Sequence, residues 1–354
     1  MSSREESRSA AHSLLGRELP EGWQVVEKVE RPPDATGSRF SVGYIVQRDG
    51  TRAFLKALDY SFAFASGDAA RVLEAMTSAY NFEVDVLERC AASRMNRVVT
   101  VLGHGEVVVE GADGVPNVSY LIFELAEGDV RHALDSIGSI FDYAWAFRTL
   151  HHATTGLWQL HGQGIAHQDL KPSNVLTFGR NSSKLADLGR ASRRGVAAPH
   201  EGLNLAGDPA YAPPELLYGQ VDPDWSKRRQ ACDTYLLGSL AIFIFSGATA
   251  TAAILAFLDD DLHPDAWGDS YIAVLPYVRV AFDQAVGEFE DSLSEHVAAR
   301  LVPIVQQLCD PDPDLRGHPR ARSQRGNSYS LERYVAEFDL LARRAEIGYF
   351  KDVA

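Results

Sequence analysis

Cysteine is scarce in this chain. Only Cys90, Cys232 and Cys309 occur among 354 residues. They are far apart and odd in number, so neither a disulfide framework nor a closely spaced zinc-binding pair is available. A reducing, cytoplasmic setting is the simplest reading of that usage. Positive charge is also short, with 34 lysines and arginines against 48 aspartates and glutamates and a net charge of −14. A surface this acidic repels phosphate backbones and argues against nucleic acid as a partner. The N-terminal stretch MSSREESRSAAHS lacks the apolar core of a secretory signal. One long run is both uncharged and strongly apolar, residues 234–258, TYLLGSLAIFIFSGATATAAILAFL. That length suits a membrane span, but Gly238 and Gly247 interrupt it, and two shorter buried helices account for it as well.

What is present divides by character. Residues 1–21 are polar and read as a flexible arm. Residues 22–124 are strand-rich. WQVVEKV, FSVGYIVQ and TRAFLKAL read as short strands, with Arg48-Asp49-Gly50 as a hairpin turn. A helix is expected from Asp68 to Cys90, and two more strands lie either side of the turn-forming GADGVPN. From residue 125 to 346 the pattern is helical. Tyr143, Phe147, Leu150, Leu157 and Leu160 recur near helical spacing, further helices are expected at 230–247, 271–286 and 294–308, and Ser330 opens a last one. Residues 347–354 form a tail. The layout is α+β: a small strand-rich part, then a larger helical one.

The densest chemistry lies in GIAHQDLKPSNVLTFGRNSSKLADLGRAS, residues 164–192. Asn174 follows Asp169 by five positions and Asp187 follows it by 18, a gap long enough to hold a β-hairpin that would return the second aspartate beside the first. HQDLKPSN followed by ADLG resembles the H-R-D-L-x-x-x-N and D-F-G signatures of the eukaryotic-type protein kinases. The resemblance implies the two-lobed protein-kinase fold, a small β-rich N-lobe and a larger helical C-lobe, over about residues 22–346. It also implies transfer of the γ-phosphate of ATP to a hydroxyl of a protein substrate. By this resemblance Asp169 takes or orients the hydroxyl proton, while Asn174 and Asp187 hold Mg2+, a cation that favours oxygen ligands. Lys171, two positions after Asp169, stands where serine/threonine kinases carry a lysine, and would touch the γ-phosphate.

Other landmarks follow in the order that the family implies. Lys56 in AFLKAL would hold the α- and β-phosphates, paired with Glu83 of the following helix. Asp85 and Glu88 are rivals for that pairing. Glu83 is favoured because Val84, Leu87 and Cys90 would then form an adjacent buried stripe. Phe123 would stand beside the adenine, and backbone groups from Glu124 to Ala126 would hydrogen-bond it. Glu215 in PPE would pair with Arg316. Asp233 would brace the catalytic loop from the start of a helix apolar on all sides, which gives the 234–258 run a place inside a soluble protein.

Several positions depart from the family. In TGSRFSVGY, residues 36–44, Thr36, Ser38 and Ser41 stand where glycines are expected if Phe40 is the loop tip. Glycines let backbone N–H groups approach phosphates closely, so ATP affinity is expected to be weaker, with Ser38 and Arg39 supplying the contacts instead. Gln168 replaces the arginine of H-R-D. From Asp187 to Glu215 the hydroxyl side chains are Ser192 and Tyr211 alone, so activity is expected not to depend on phosphorylation of this segment. Leu188 stands for the phenylalanine of D-F-G, and Asp208 for a threonine that contacts the catalytic aspartate. The missing glycines and Asp208 motivate a second reading, a pseudokinase acting as a nucleotide-binding or scaffolding module.

Overall fold

The computed structural model describes residues 9–30, 40–64, 67–112, 114–135, 141–324 and 327–350. The chain divides into two compact units, residues 1–94 with 99–126, and residues 95–98 with 127–354.

The smaller unit is built on strands β1 (Glu18–Leu19), β2 (Trp23–Lys28), β3 (Ser41–Arg48), β4 (Thr51–Leu58), β5 (Val101–Val108) and β6 (Asn117–Glu124), antiparallel in the order β1-β2-β3-β4-β6-β5. Asp49 and Gly50 both take positive φ, 49° and 79°, the mirrored two-residue turn whose twist matches the β3–β4 hairpin. Alternation then sorts the side chains. Tyr44, Val46, Leu55, Val118, Tyr120 and Ile122 are buried together in one core.

Ala10, Ala11 and Leu14 belong to the same core, and the Tyr44 hydroxyl donates to the Ala11 carbonyl at 2.7 Å. The flexible arm expected over residues 1–21 is therefore corrected from Ser9 onward. The segment folds as a short 3-10 turn, Ala10–Ser13, which is too short to leave a periodic signal among its polar neighbours. Helix α1 (Ser61–Phe64) precedes α2 (Ala69–Ala92), whose first turn is capped by the Asp68 carboxylate accepting from the Arg71 N–H.

The larger unit carries the short strands β7 (Gly128–Asp129), β8 (Ile165–Ala166), β9 (Val175–Thr177), β10 (Ser183–Leu185) and β11 (Ser192–Arg193). Its helices are α3 (Val130–Asp135), α4 (Tyr143–Gly162), α5 (Pro214–Leu217), α6 (Ala231–Ser246), α7 (Ala250–Leu255), α8 (Tyr271–Asp291), α9 (Glu295–Leu308), α10 (Pro319–Arg322) and α11 (Glu332–Glu346). The uncharged run becomes two helices. α6 is buried on all sides and stops at Gly247, whose φ of 77° ends a helix without strain. Thr249 then caps α7. Among the described residues no helix is long and apolar enough to cross a membrane. The last helix starts at Glu332, two residues after the serine expected to open it. The buried Arg316 guanidinium reaches both oxygens of Glu215, at 2.6 and 2.8 Å, which joins α5 to the loop after α9.

Candidate active site

In the smaller unit, alternation along β4 sends Leu55 and Ala57 into the core and turns Lys56 to the opposite face. The Lys56 Nζ lies 3.0 and 3.1 Å from the two oxygens of Glu83, which is buried. One turn earlier on α2, the Tyr80 hydroxyl donates to the backbone carbonyls of Gly105 and Tyr120 and pins the helix to the sheet. Of the rivals, Glu88 meets His104 at 3.1 Å, and Asp85 is exposed. The buried stripe beside Glu83 consists of Phe82, Val86, Leu87 and Cys90, with Val84 only half-buried.

Phe123, at the end of β6, is buried and lies across from Phe54. The N–H of Glu124 is committed to the Thr100 carbonyl at 3.1 Å, and its carboxylate accepts from the Thr100 N–H. Ala126 is half-buried at the end of the unit. Ser38 and Arg39 lie outside the described residues. Phe40 packs edge-on against Phe62 of α1, with ring centroids 4.7 Å apart.

In the larger unit, β9 and β10 form the hairpin between the two aspartates. It brings the Ala186 N–H onto the Asn174 carbonyl at 2.9 Å, and the Ala186 carbonyl onto the His167 ring at 3.0 Å. Asp187 follows in the left-handed region, φ 59° and ψ 70°. Such a conformation in a non-glycine residue persists only where its surroundings impose it. The Asn174 amide nitrogen donates to the Asp169 carbonyl at 2.7 Å and to its carboxylate at 3.1 Å. The Lys171 ammonium lies 3.3 Å from Asp169 and 3.3 Å from Asp208. The Asp208 N–H donates to the other Asp169 oxygen at 2.9 Å.

Beneath this loop the fully buried Asp233 carboxylate accepts the N–H groups of His167 and Gln168, at 2.7 and 2.8 Å, and also contacts the His161 ring.

The electrostatics follow from burial and from these neighbours. Desolvation pushes the Asp169 carboxyl above the ordinary carboxylate range; the Lys171 charge opposes that and the Asp187 charge adds to it. Burial alone would lower Lys171, but the carboxylates of Asp169 and Asp208 raise it, so it stays an ammonium.

Among the described residues no three His, Cys, Asp or Glu side chains form a metal cage. The donor set at Asn174 and Asp187 fits Mg2+ on other grounds. Asn174 commits its amide nitrogen to Asp169, so its carbonyl oxygen is the atom it offers a cation. Mg2+ characteristically takes one or two carboxylates and completes its shell with phosphates and water.

Sequence reading missed Arg229 and Glu201. Arg229 is buried, donates to the Gln168 side chain at 3.2 Å and lies 3.3 Å from Glu201. These partners are distant along the chain, and no local pattern announces them.

A strand-rich unit with a lysine–glutamate pair, followed by a helical unit with an aspartate–lysine–asparagine loop and a second aspartate after a hairpin, is the arrangement of the protein-kinase class. The family model for the protein kinase domain matches residues 60–316; the chain belongs to the protein kinase family. Among its relatives is a cell division control protein 2 homolog of Trypanosoma brucei brucei, 36% identical over 28% of this chain and 32% of that one. CBL-interacting protein kinase 22 of Oryza sativa is 27% identical over 85% of this chain and 58% of its own. The serine/threonine-protein kinase Pkn1 of Myxococcus xanthus is 29% identical over 51% and 25%. The chain spans less than two thirds of the length of each of these relatives.

Proposed function

We propose that this protein is an ATP-dependent protein kinase that transfers the γ-phosphate of ATP to serine or threonine hydroxyls of a protein substrate, in a cytoplasmic setting. The observation that carries the reading is the catalytic loop. Asp169 is gripped by the Asn174 amide and the Asp208 N–H while Lys171 stands 3.3 Å away. A carboxylate fixed this way can accept or orient one hydroxyl proton, and a retained ammonium beside it can follow negative charge on the transferred group. Lys56, its ammonium oriented by Glu83, holds the α- and β-phosphates. Phe123 flanks the adenine, with the backbone at Glu124 and Ala126 hydrogen-bonding it; Ser38 and Arg39, outside the described residues, are assigned to the phosphates on sequence alone. Mg2+, held by Asn174 and Asp187, supplies neutralisation of the triphosphate charge when bound. Lys171 and the name of the Myxococcus relative support serine/threonine acceptors.

The second reading, a nucleotide-binding or scaffolding module, draws on Asp208, whose carboxylate competes for Lys171. Transfer of labelled γ-phosphate from ATP to basic and neutral protein substrates separates the two. Wild type should transfer label, and Asp169→Asn and Asp187→Ala should each fall by about a hundredfold or more. Nucleotide binding without transfer by wild type would leave the second reading standing.

A further inference from the structure

We propose that Glu201 is an internal counter-anion that latches residues 192–203 to Arg228 and Arg229, and through Arg229 positions the catalytic loop without any phosphate on the segment. The inference rests on the kinase reading for its consequence, but the latch itself rests on geometry within the larger unit.

The two hydroxyl side chains between Asp187 and Glu215 are both engaged and buried. The Ser192 hydroxyl donates to Glu201 Oε2 at 2.8 Å and accepts from the Trp225 indole at 2.9 Å. The Tyr211 hydroxyl accepts from Arg131 at 2.6 Å. Neither is presented to a modifying enzyme. Meanwhile the Arg229 guanidinium is only 1% exposed, and a buried cation requires an anion close by.

Glu201 is that anion. Its Oε1 lies 3.3 Å from Arg229 and 3.7 Å from Arg228. Its backbone carbonyl accepts from both, at 3.2 and 2.7 Å, and Arg228 also reaches the Leu203 carbonyl at 2.9 Å. The arginines sit in a π-helical turn, Ser226–Gln230, just before α6. Such widened turns are frequent at functional sites.

From Arg229 the connection runs to the catalytic loop. Arg229 Nη1 donates to the Gln168 side-chain oxygen at 3.2 Å, and the Gln168 amide donates to the Arg229 carbonyl at 2.8 Å and to Asp233 at 3.0 Å. Gln168 immediately precedes Asp169. An arginine at 168 would bring a second cation against the buried Arg229. A glutamine is neutral and offers both a donor and an acceptor, which matches what Arg229 presents. The glutamine at 168 and the carboxylate at 201 therefore belong to one device, and Glu201 and Arg229 are positioning residues that act through Gln168.

The test compares full-length wild type, Glu201→Ala and the near-isosteric Glu201→Gln. It reads hydrogen–deuterium exchange over 192–206, steady-state transfer from ATP, and chemical rescue by sodium acetate against sodium chloride at equal ionic strength. In Glu201→Ala, exchange over 192–206 should rise and kcat should fall by about tenfold or more with KM for ATP within about threefold, since phosphate contacts are untouched. Acetate, entering beside Arg228 and Arg229, should reverse both effects where chloride does not. Glu201→Gln should follow the same direction, and phosphatase treatment should leave wild type unchanged. Unaltered exchange and kcat in both variants would overturn the latch, as would a loss that acetate fails to reverse while 192–206 stays protected. A wild type that transfers no phosphate would instead remove the kinase reading, and exchange with acetate rescue would still decide the latch.

Discussion

The Lys56 ammonium sits in a partly buried position with the Glu83 carboxylate 3.0 Å away. An ammonium taken out of water without a carboxylate would give up its proton or leave the site. The pair was legible because it follows from two local periods: alternation along β4 fixes which way Lys56 faces, and the helix period along α2 selects Glu83 over Asp85 and Glu88. Glu201 and Arg229 were not legible, because their contact joins positions 28 apart through tertiary packing alone. For the pair itself, Lys56→Met should lower kcat/KM for ATP by about a hundredfold, and Glu83→Gln by less, since the lysine stays while its orientation loosens. Steady-state kinetics at varied ATP would check this; equal activity of wild type and Lys56→Met would remove Lys56 from the phosphate site.

Helix α6 shows how an element can look like a membrane span and still be a core helix. Its residues are apolar on every side because protein surrounds it. Gly238 is the position where a neighbour comes closest: a Cβ there would stand 2.4 Å from the Cys309 sulfur and 2.8 Å from the Leu308 Cβ at the end of α9. Alanine gains about 1 kcal/mol of helix propensity over glycine, but overpacking a tight interior costs about 1–3 kcal/mol, so Gly238→Ala should destabilise. Cys309→Ala should relieve the sulfur clash but not the Leu308 one. The double variant is thus expected to be less destabilised than the sum of the singles, by denaturant midpoints. Exact additivity would mean that the two side chains do not meet. The helices and long strands were legible because each repeats its period over several turns or residues. The 3-10 turn at Ala10–Ser13 contributes two buried alanines and has no room for a period, so its packing emerged only in the folded chain.

Across the whole molecule, acid should act on the two units in different windows. In the larger unit, burial first, then the charges of Arg97, His151 and Arg148, push the His152 imidazole down to about 3. Its Nδ1 accepts from the Ser183 N–H. A folded value below the unfolded one means that the stabilisation is complete above pH of about 6.5 and is lost as pH falls toward 3, because the unfolded chain takes up the proton first. By pH 5 that loss amounts to about 2 kcal/mol for this buried ring. In the smaller unit, burial alone would raise Asp59, but hydrogen bonds from His12 and Ser61 hold it down to about 2. By the same sign its contribution is intact down to pH of about 4 and is lost below that. Pulse proteolysis between pH 7 and 3 should therefore open cleavage sites in α4 and β10 before those near Asp59. His152→Gln, which keeps an acceptor for the Ser183 N–H, should reduce the slope between pH 6.5 and 5 in the larger unit alone, leaving the smaller share of His151, His200 and His318, which are also lowered. Asp59→Asn should remove the slope below pH 4 and leave the upper window as in wild type. Should His152→Gln leave the slope between pH 6.5 and 5 unchanged, this histidine would not be the group that takes up the proton on unfolding.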